Sequence, residues 1–137
     1  MRKKALFPIM IALAVIVLLG CENSVTPSTD TVINIAAISG VTAPATGATP
    51  VTAITETDQY TGTVTWSGSP TSFAASTVYT ATITLTAKTG YTLTGVAANF
   101  FTVAGATSVT NSASTGTVTA VFPATAAVPD TVINIAA

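Results

Sequence analysis

Histidine is missing from this chain, and charge is nearly so. Charged residues make up 7% of its 137 positions, against about 25% in an ordinary soluble protein. Without imidazole there is no His-dependent catalytic triad, and the ligands of a zinc site are lacking. The single cysteine, Cys21, has no partner for a disulfide within the chain. Three of the four bases, Arg2, Lys3 and Lys4, crowd the N-terminus, and Lys88 is the fourth. All five acids (Glu22, Asp30, Glu56, Asp58, Asp130) lie beyond residue 20, so that stretch carries one base against five acids. Nucleic-acid binding draws on clustered Lys and Arg to release counterions, which excludes that class of partner. No Gly-rich phosphate loop of the P-loop or dinucleotide kind is present, so no cofactor is expected.

What is abundant is threonine, about a quarter of the residues after Cys21, with Val and Ile beside it. β-Branched residues fit a pleated, half-buried surface. Solubility here rests on hydroxyls rather than charge. The composition predicts an all-β, extracytoplasmic protein.

The N-terminus carries an address. Arg2-Lys3-Lys4 precede an apolar run over residues 5–19, the layout of a secretory signal. That run is shorter than the ~20 residues needed to cross a bilayer core, it contains Pro8, and no basic stop signal follows. Its end, Leu18-Leu19-Gly20-Cys21, resembles the lipobox of bacterial lipoproteins. The resemblance implies a diacylglycerol on the Cys21 thiol, cleavage just before it, and anchorage in the cell envelope through lipid. Residues 1–20 are then a cleaved helical signal peptide. Residues 21–30 are the lipidated Cys and a polar tether containing Pro27.

From residue 31 the pattern has period two, with turn residues between segments. Residues 31–38 (TVINIAAI) read as a first strand, with Ile33, Ile35 and Ala37 on one face. Residues 40–50 are a Gly- and Pro-punctuated loop, and 51–57 a strand. In 59–67, Tyr60, Gly62, Val64 and Trp66 share one face, and Thr61, Thr63 and Thr65 take the other. In 78–88, Tyr79, Ala81, Ile83, Leu85 and Ala87 face in, while Thr80, Thr82, Thr84 and Thr86 face out. A slip of one residue would bury the Thr row, so register is well specified. Residues 91–96, 100–103, 108–110 and 116–122 complete the set, with Val118, Ala120 and Phe122 inward.

Seven or eight short strands without helical periodicity predict a two-sheet sandwich over residues 31–125, with a small closed barrel as the alternative. The stretches Val64-Thr65-Trp66-Ser67, Thr77-x-Tyr79-x-Ala81-x-Ile83 and Gly90-Tyr91-Thr92-Leu93-Thr94-Gly95-Val96 resemble the immunoglobulin-like and fibronectin-type-III-like repeats of bacterial surface proteins. That resemblance implies an immunoglobulin-like sandwich. The chain departs from the fibronectin pattern in setting Trp66 only 13 residues before Tyr79, and it lacks the cysteine pair of antibody domains.

DTVINIAA occurs at residues 30–37 and again at 130–137, 100 positions on. That period suits one immunoglobulin-like domain with its linker. Residues 126–137 then read as a linker and the first strand of a truncated second repeat. Two other readings stand beside this one. The second copy could add to an open edge of its own sheet. It could also replace the first strand of a neighbouring molecule, a strand-exchange route to oligomers.

Few residues offer chemistry. Glu56 and Asp58, two apart on a strand, would share a face at roughly 7 Å, a spacing compatible with an inverting glycosidase pair or part of a calcium site. They read more simply as a solvated strand end, and no catalytic or metal residue is assigned. Lys88 reads as a solubilising edge charge. Trp66 and Tyr79 are core, and Phe73 caps an open end of the fold. Of the adjacent Phe100 and Phe101, Phe101 joins Val103 inside and Phe100 faces outward, a candidate interface with a neighbouring repeat or a cell-surface glycan. The sequence therefore predicts a non-enzymatic, lipid-anchored spacer or stalk. An adhesin-type or carbohydrate-binding module on the same scaffold is the alternative.

Overall fold

Alternation between apolar residues and threonine builds the largest sheet. The structure, a computed structural model, describes residues 29–129. Cys21, the signal segment and the second DTVINIAA lie outside the described residues. Eight strands are present: β1 (Thr31–Val32), β2 (Ala37–Ile38), β3 (Tyr60–Trp66), β4 (Thr80–Ala87), β5 (Tyr91–Thr92), β6 (Thr102–Val103), β7 (Ser108–Asn111) and β8 (Thr117–Val121). No helix occurs among the described residues. The protein is all-β, as its composition predicts.

β3, β4, β8 and β7 form one antiparallel sheet in that order. Its buried face carries Tyr60, Val64 and Trp66 from β3, Ala81, Ile83 and Leu85 from β4, and Val118 and Ala120 from β8. Removing a large aliphatic or aromatic side chain from water stabilises by roughly 1.5–3 kcal/mol each, so this face dominates the fold's energetics. The register sets Thr65 beside Thr82, Thr82 beside Thr119, and Thr119 beside Thr110. The opposite face is thus a ladder of hydroxyl and methyl groups. Gly62 pairs with Leu85 and is needed there: a Cβ on it would sit 2.8 Å from the Thr84 carbonyl oxygen and 3.0 Å from Leu85 Cδ2.

The rest of the chain covers the apolar face. β1 runs parallel to β5, and β2 runs parallel to β6. Ile33, Ile38, Val41, Phe73, Val96, Phe101 and Val103 join the residues of the large sheet in one buried cluster. At one end Trp66 meets Phe73 edge-on, with centroids 4.9 Å apart, and Phe73 packs on Tyr79 at 4.8 Å. Phe73 closes that end, as expected. The polar ends of these rings are bonded: Trp66 Nε1 donates to the Val51 carbonyl at 2.8 Å, and Tyr79 Oη accepts from the Ala74 N–H at 2.9 Å.

Two segments depart from the sequence expectation. Residues 31–38 are not one strand but two, β1 and β2, in different sheets. The inward face shifts accordingly: Ile33 and Ile38 are buried, Ile35 is half-buried and Ala37 is exposed. The break at Asn34 and Ile35 costs the segment its period of two. Residues 51–57 contribute only an isolated bridge, Ala53 to Thr63, beside β3. Ile54 is nonetheless buried, and its N–H reaches the Gly62 carbonyl at 3.2 Å. At its far end the segment turns from β3, and the Thr55 N–H donates to the Ser39 carbonyl at 2.8 Å.

Candidate functional site

The break between β1 and β2 is where the chain does something its strand pattern does not require. Two consecutive backbone N–H groups, those of Asn34 and Ile35, leave the ladder there. Both donate to one oxygen, Gln59 Oε1, at 2.9 and 3.1 Å. Gln59 Nε2 donates in return to Asn34 Oδ1 at 2.7 Å. A fully buried N–H without an acceptor costs roughly 1–3 kcal/mol; these two are part-buried, and one amide side chain offsets the smaller cost of both.

Gln59 is held for this task by its own surroundings. The Thr57 hydroxyl accepts from the Gln59 N–H at 3.2 Å and the Tyr60 N–H at 3.0 Å, a local turn that Ser and Thr commonly stabilise. The Gln59 carbonyl accepts from the Lys88 N–H at 2.9 Å. With its backbone fixed from both sides, the side chain is 8% exposed and points at the first segment. Tyr60, next in sequence, extends the clasp: its Oη donates to the Ala37 carbonyl at 3.1 Å. Burial pushes the Tyr60 phenol above its ordinary pKa, so it remains a donor.

Along the rest of the segment the contacts are backbone to backbone. The Thr31 N–H donates to the Gly90 carbonyl at 2.9 Å, the Ile33 N–H to the Thr92 carbonyl at 3.0 Å, and the Thr102 N–H to the Ala36 carbonyl at 2.9 Å. Val32 lies over Gly95, where a Cβ would stand 3.3 Å from Val32 Cγ2. Together these groups form a slot that reads residues 31–37 by shape, by backbone pairing and by the Asn34 amide. Gln59 carried no weight in the sequence reading. The signal that points to it is Asn34, a lone polar residue inside an otherwise apolar strand pattern, repeated as Asn134.

The sequence-predicted candidates fall elsewhere. Phe101 is inside, 2% exposed, and meets Tyr60 edge-on at 6.0 Å. Phe100 is the outer of the two but is half-buried, packed edge-on against Phe101 at 5.1 Å. Glu56 is exposed and paired with Lys88, Nζ to Oε2 at 2.9 Å. The Lys88 hydrogen bond first, and the Lys88 charge second, hold the Glu56 carboxyl below the usual range. Lys88 is thus the partner of Glu56 as well as an edge charge. Asp58, two residues on, is exposed as well. Among the described residues no three His, Cys, Asp or Glu side chains gather as a metal site.

Three hollows mark the surface, one of them along β2 and β6 between Ser39, Val41 and Thr102. Another, beside Trp66, is walled by Pro50, Pro70, Val64 and Thr52. The third is lined by Asn99, Thr110, Asn111, Thr117 and Thr119. The Asn111 amide is fully engaged, accepting from the Phe101 N–H at 3.3 Å and donating to the Ala97 and Ser112 carbonyls at 3.0 Å. The hollow beside Trp66 offers Thr and Ser hydroxyls beside apolar walls, and the third offers hydroxyls and the Asn99 and Asn111 amides; neither is lined by a titratable group, so they suit hydrogen bonding rather than proton transfer. No helix among the described residues is long and apolar enough to cross a membrane. No protein-family model, no curated protein and no solved structure matches this chain.

Proposed function

We propose that this is a lipid-anchored cell-envelope protein, tethered through acyl chains on Cys21, whose β-domain serves as a non-enzymatic spacer or stalk. Multiple acyl chains anchor stably where one does not, and the polar stretch over residues 22–30 lifts the domain from the membrane surface. The domain itself is read as an immunoglobulin-like sandwich. Supporting this are a four-stranded antiparallel sheet, two further two-stranded sheets, β1-β5 and β2-β6, and one apolar cluster that includes residues of the large sheet together with Ile38 of β2 and Val103 of β6.

The observation that carries the spacer reading is the placement of the aromatic rings. Tyr60, Trp66, Phe73, Tyr79, Phe101 and Phe122 are buried, and Tyr91 and Phe100 are half-buried. The large hydrophobic residues exposed among the described residues are Val32, Val78 and Val128. A carbohydrate-binding module would present aromatic faces to water; here they are spent on the core.

The anchor is tested by growing bacteria that express the chain with a radiolabelled fatty acid. The chain is expected in the membrane fraction, carrying label that Cys21→Ala removes. An unlabelled wild-type chain in the soluble fraction would overturn the anchored reading. A glycan-array signal that disappears in Phe100→Ala would replace the spacer with a binding module.

A further inference from the structure

We infer that the slot that holds residues 30–37 also accepts residues 130–137 of a second copy, joining molecules head to tail by strand exchange. Every contact that defines the slot falls on a residue repeated in the second copy. Thr31 and Ile33 pair with β5, Asn34 and Ile35 with Gln59, Ala36 with Thr102, and Ala37 with Tyr60. Thr131, Ile133, Asn134, Ile135, Ala136 and Ala137 reproduce them in order. Ile133 would fill the site of Ile33, which is 2% exposed. Ile38, the next buried residue, follows the exchanged segment and stays with the acceptor. A break in the strand with a side-chain clasp discriminates between sequences more sharply than a plain edge, because an ordinary strand would leave Gln59 unpaired.

Geometry directs the exchange between molecules rather than within one. The slot begins at Gly90, just past the C-terminal end of β4, where Thr31 is bonded. The chain leaves at the other end of β4, where the Thr125 N–H donates to the Thr77 carbonyl at 3.0 Å. β4 spans about 23 Å from Thr80 to Ala87 at the rise of a strand. The six residue steps from Thr125 to Thr131 reach at most about 22 Å fully extended. A molecule's own second copy therefore falls short of its own slot.

The two copies are identical, so contact energies cancel and concentration decides. The resident segment competes with an effective concentration on the order of millimolar. Dilute protein is then monomeric, and assembly appears when the resident copy is weakened or when the protein is crowded.

The test uses the full chain in detergent. Ile33→Asp puts a charge at a buried site of the resident copy and leaves the second copy intact. It is expected to sediment at twice the monomer mass or more, with strand content near wild type. Ile33→Asp combined with Ile133→Asp is expected to lose that assembly. A monomeric Ile33→Asp chain, folded or unfolded, overturns the inference, as does assembly that survives the double change. A cross-link reads the register directly. Val32 stands opposite Thr92, so a chain with Thr92→Cys and Ile33→Asp is mixed with one carrying Val132→Cys, both in a Cys21→Ala background. Oxidation is expected to give a covalent heterodimer; its absence, or a cross-link closed within one chain when both cysteines are present, overturns the head-to-tail arrangement.

Discussion

Gln59 and Asn34 bind each other side chain to side chain, 2.7 Å from Nε2 to Oδ1, across 25 residues of sequence. The pair is reciprocal, since Gln59 Oε1 also accepts from the Asn34 backbone. One residue thereby fixes the path of the chain from one sheet into another.

Removing that amide should be costly for a residue of its size. Gln59→Ala leaves the Asn34 and Ile35 N–H groups without their acceptor, a loss of about 1–3 kcal/mol. The expected outcome is a lower denaturation midpoint in urea with early hydrogen exchange at residues 31–38. An unchanged midpoint would mean that water replaces the clasp freely.

Phe100 and Phe101 should separate cleanly. Phe101→Ala empties a site that is 2% exposed and is expected to destabilise by about 3–5 kcal/mol. Phe100 is half-buried on the edge of the same cluster, so Phe100→Ala should cost less than half as much. Chemical denaturation of the two variants measures the difference, and equal losses would contradict the packing described.

The Glu56–Lys88 pair has a defined pH signature. Lys88 depresses the folded-state pKa of Glu56 from its ordinary 4.5. A depressed carboxylate adds stability that is present above its unfolded pKa and fades as pH falls through the folded value. Both side chains stand in water, so the gain is small and screened by salt. Glu56→Gln is expected to melt slightly below wild type at pH 7 in low salt. The two melting curves should converge well below pH 4.5 and in molar salt.

How much of this was legible in the sequence depends on the element. β3, β4 and β8 were readable nearly to the residue, because each alternates Thr with a residue that packs, and burial follows that alternation. The first segment was not, because its period is broken by hydrogen bonds to a side chain 25 residues away. Residues 51–57 have strand-like composition, but their ends are drawn to different partners, Val64 at one and Ser39 at the other. The parallel pairing of β1 with β5 and β2 with β6 was also hidden, since alternation reports which face is wet and never which strand is adjacent. Buried loop residues such as Val41 and Val96 carry no periodic signal. Of the site, Phe101 was legible as core from its spacing to Val103, whereas Gln59 owes its role entirely to contacts distant in sequence.

The outer face of the four-stranded sheet carries three threonines on β3, four on β4, two on β8 and one on β7. None of them gains or loses a proton in any biological medium. A face of this kind has no switch: acidification, brine or divalent ions leave its hydration almost unchanged. Through any change of acidity, salt or divalent ions, the sheet would meet its surroundings as the same surface.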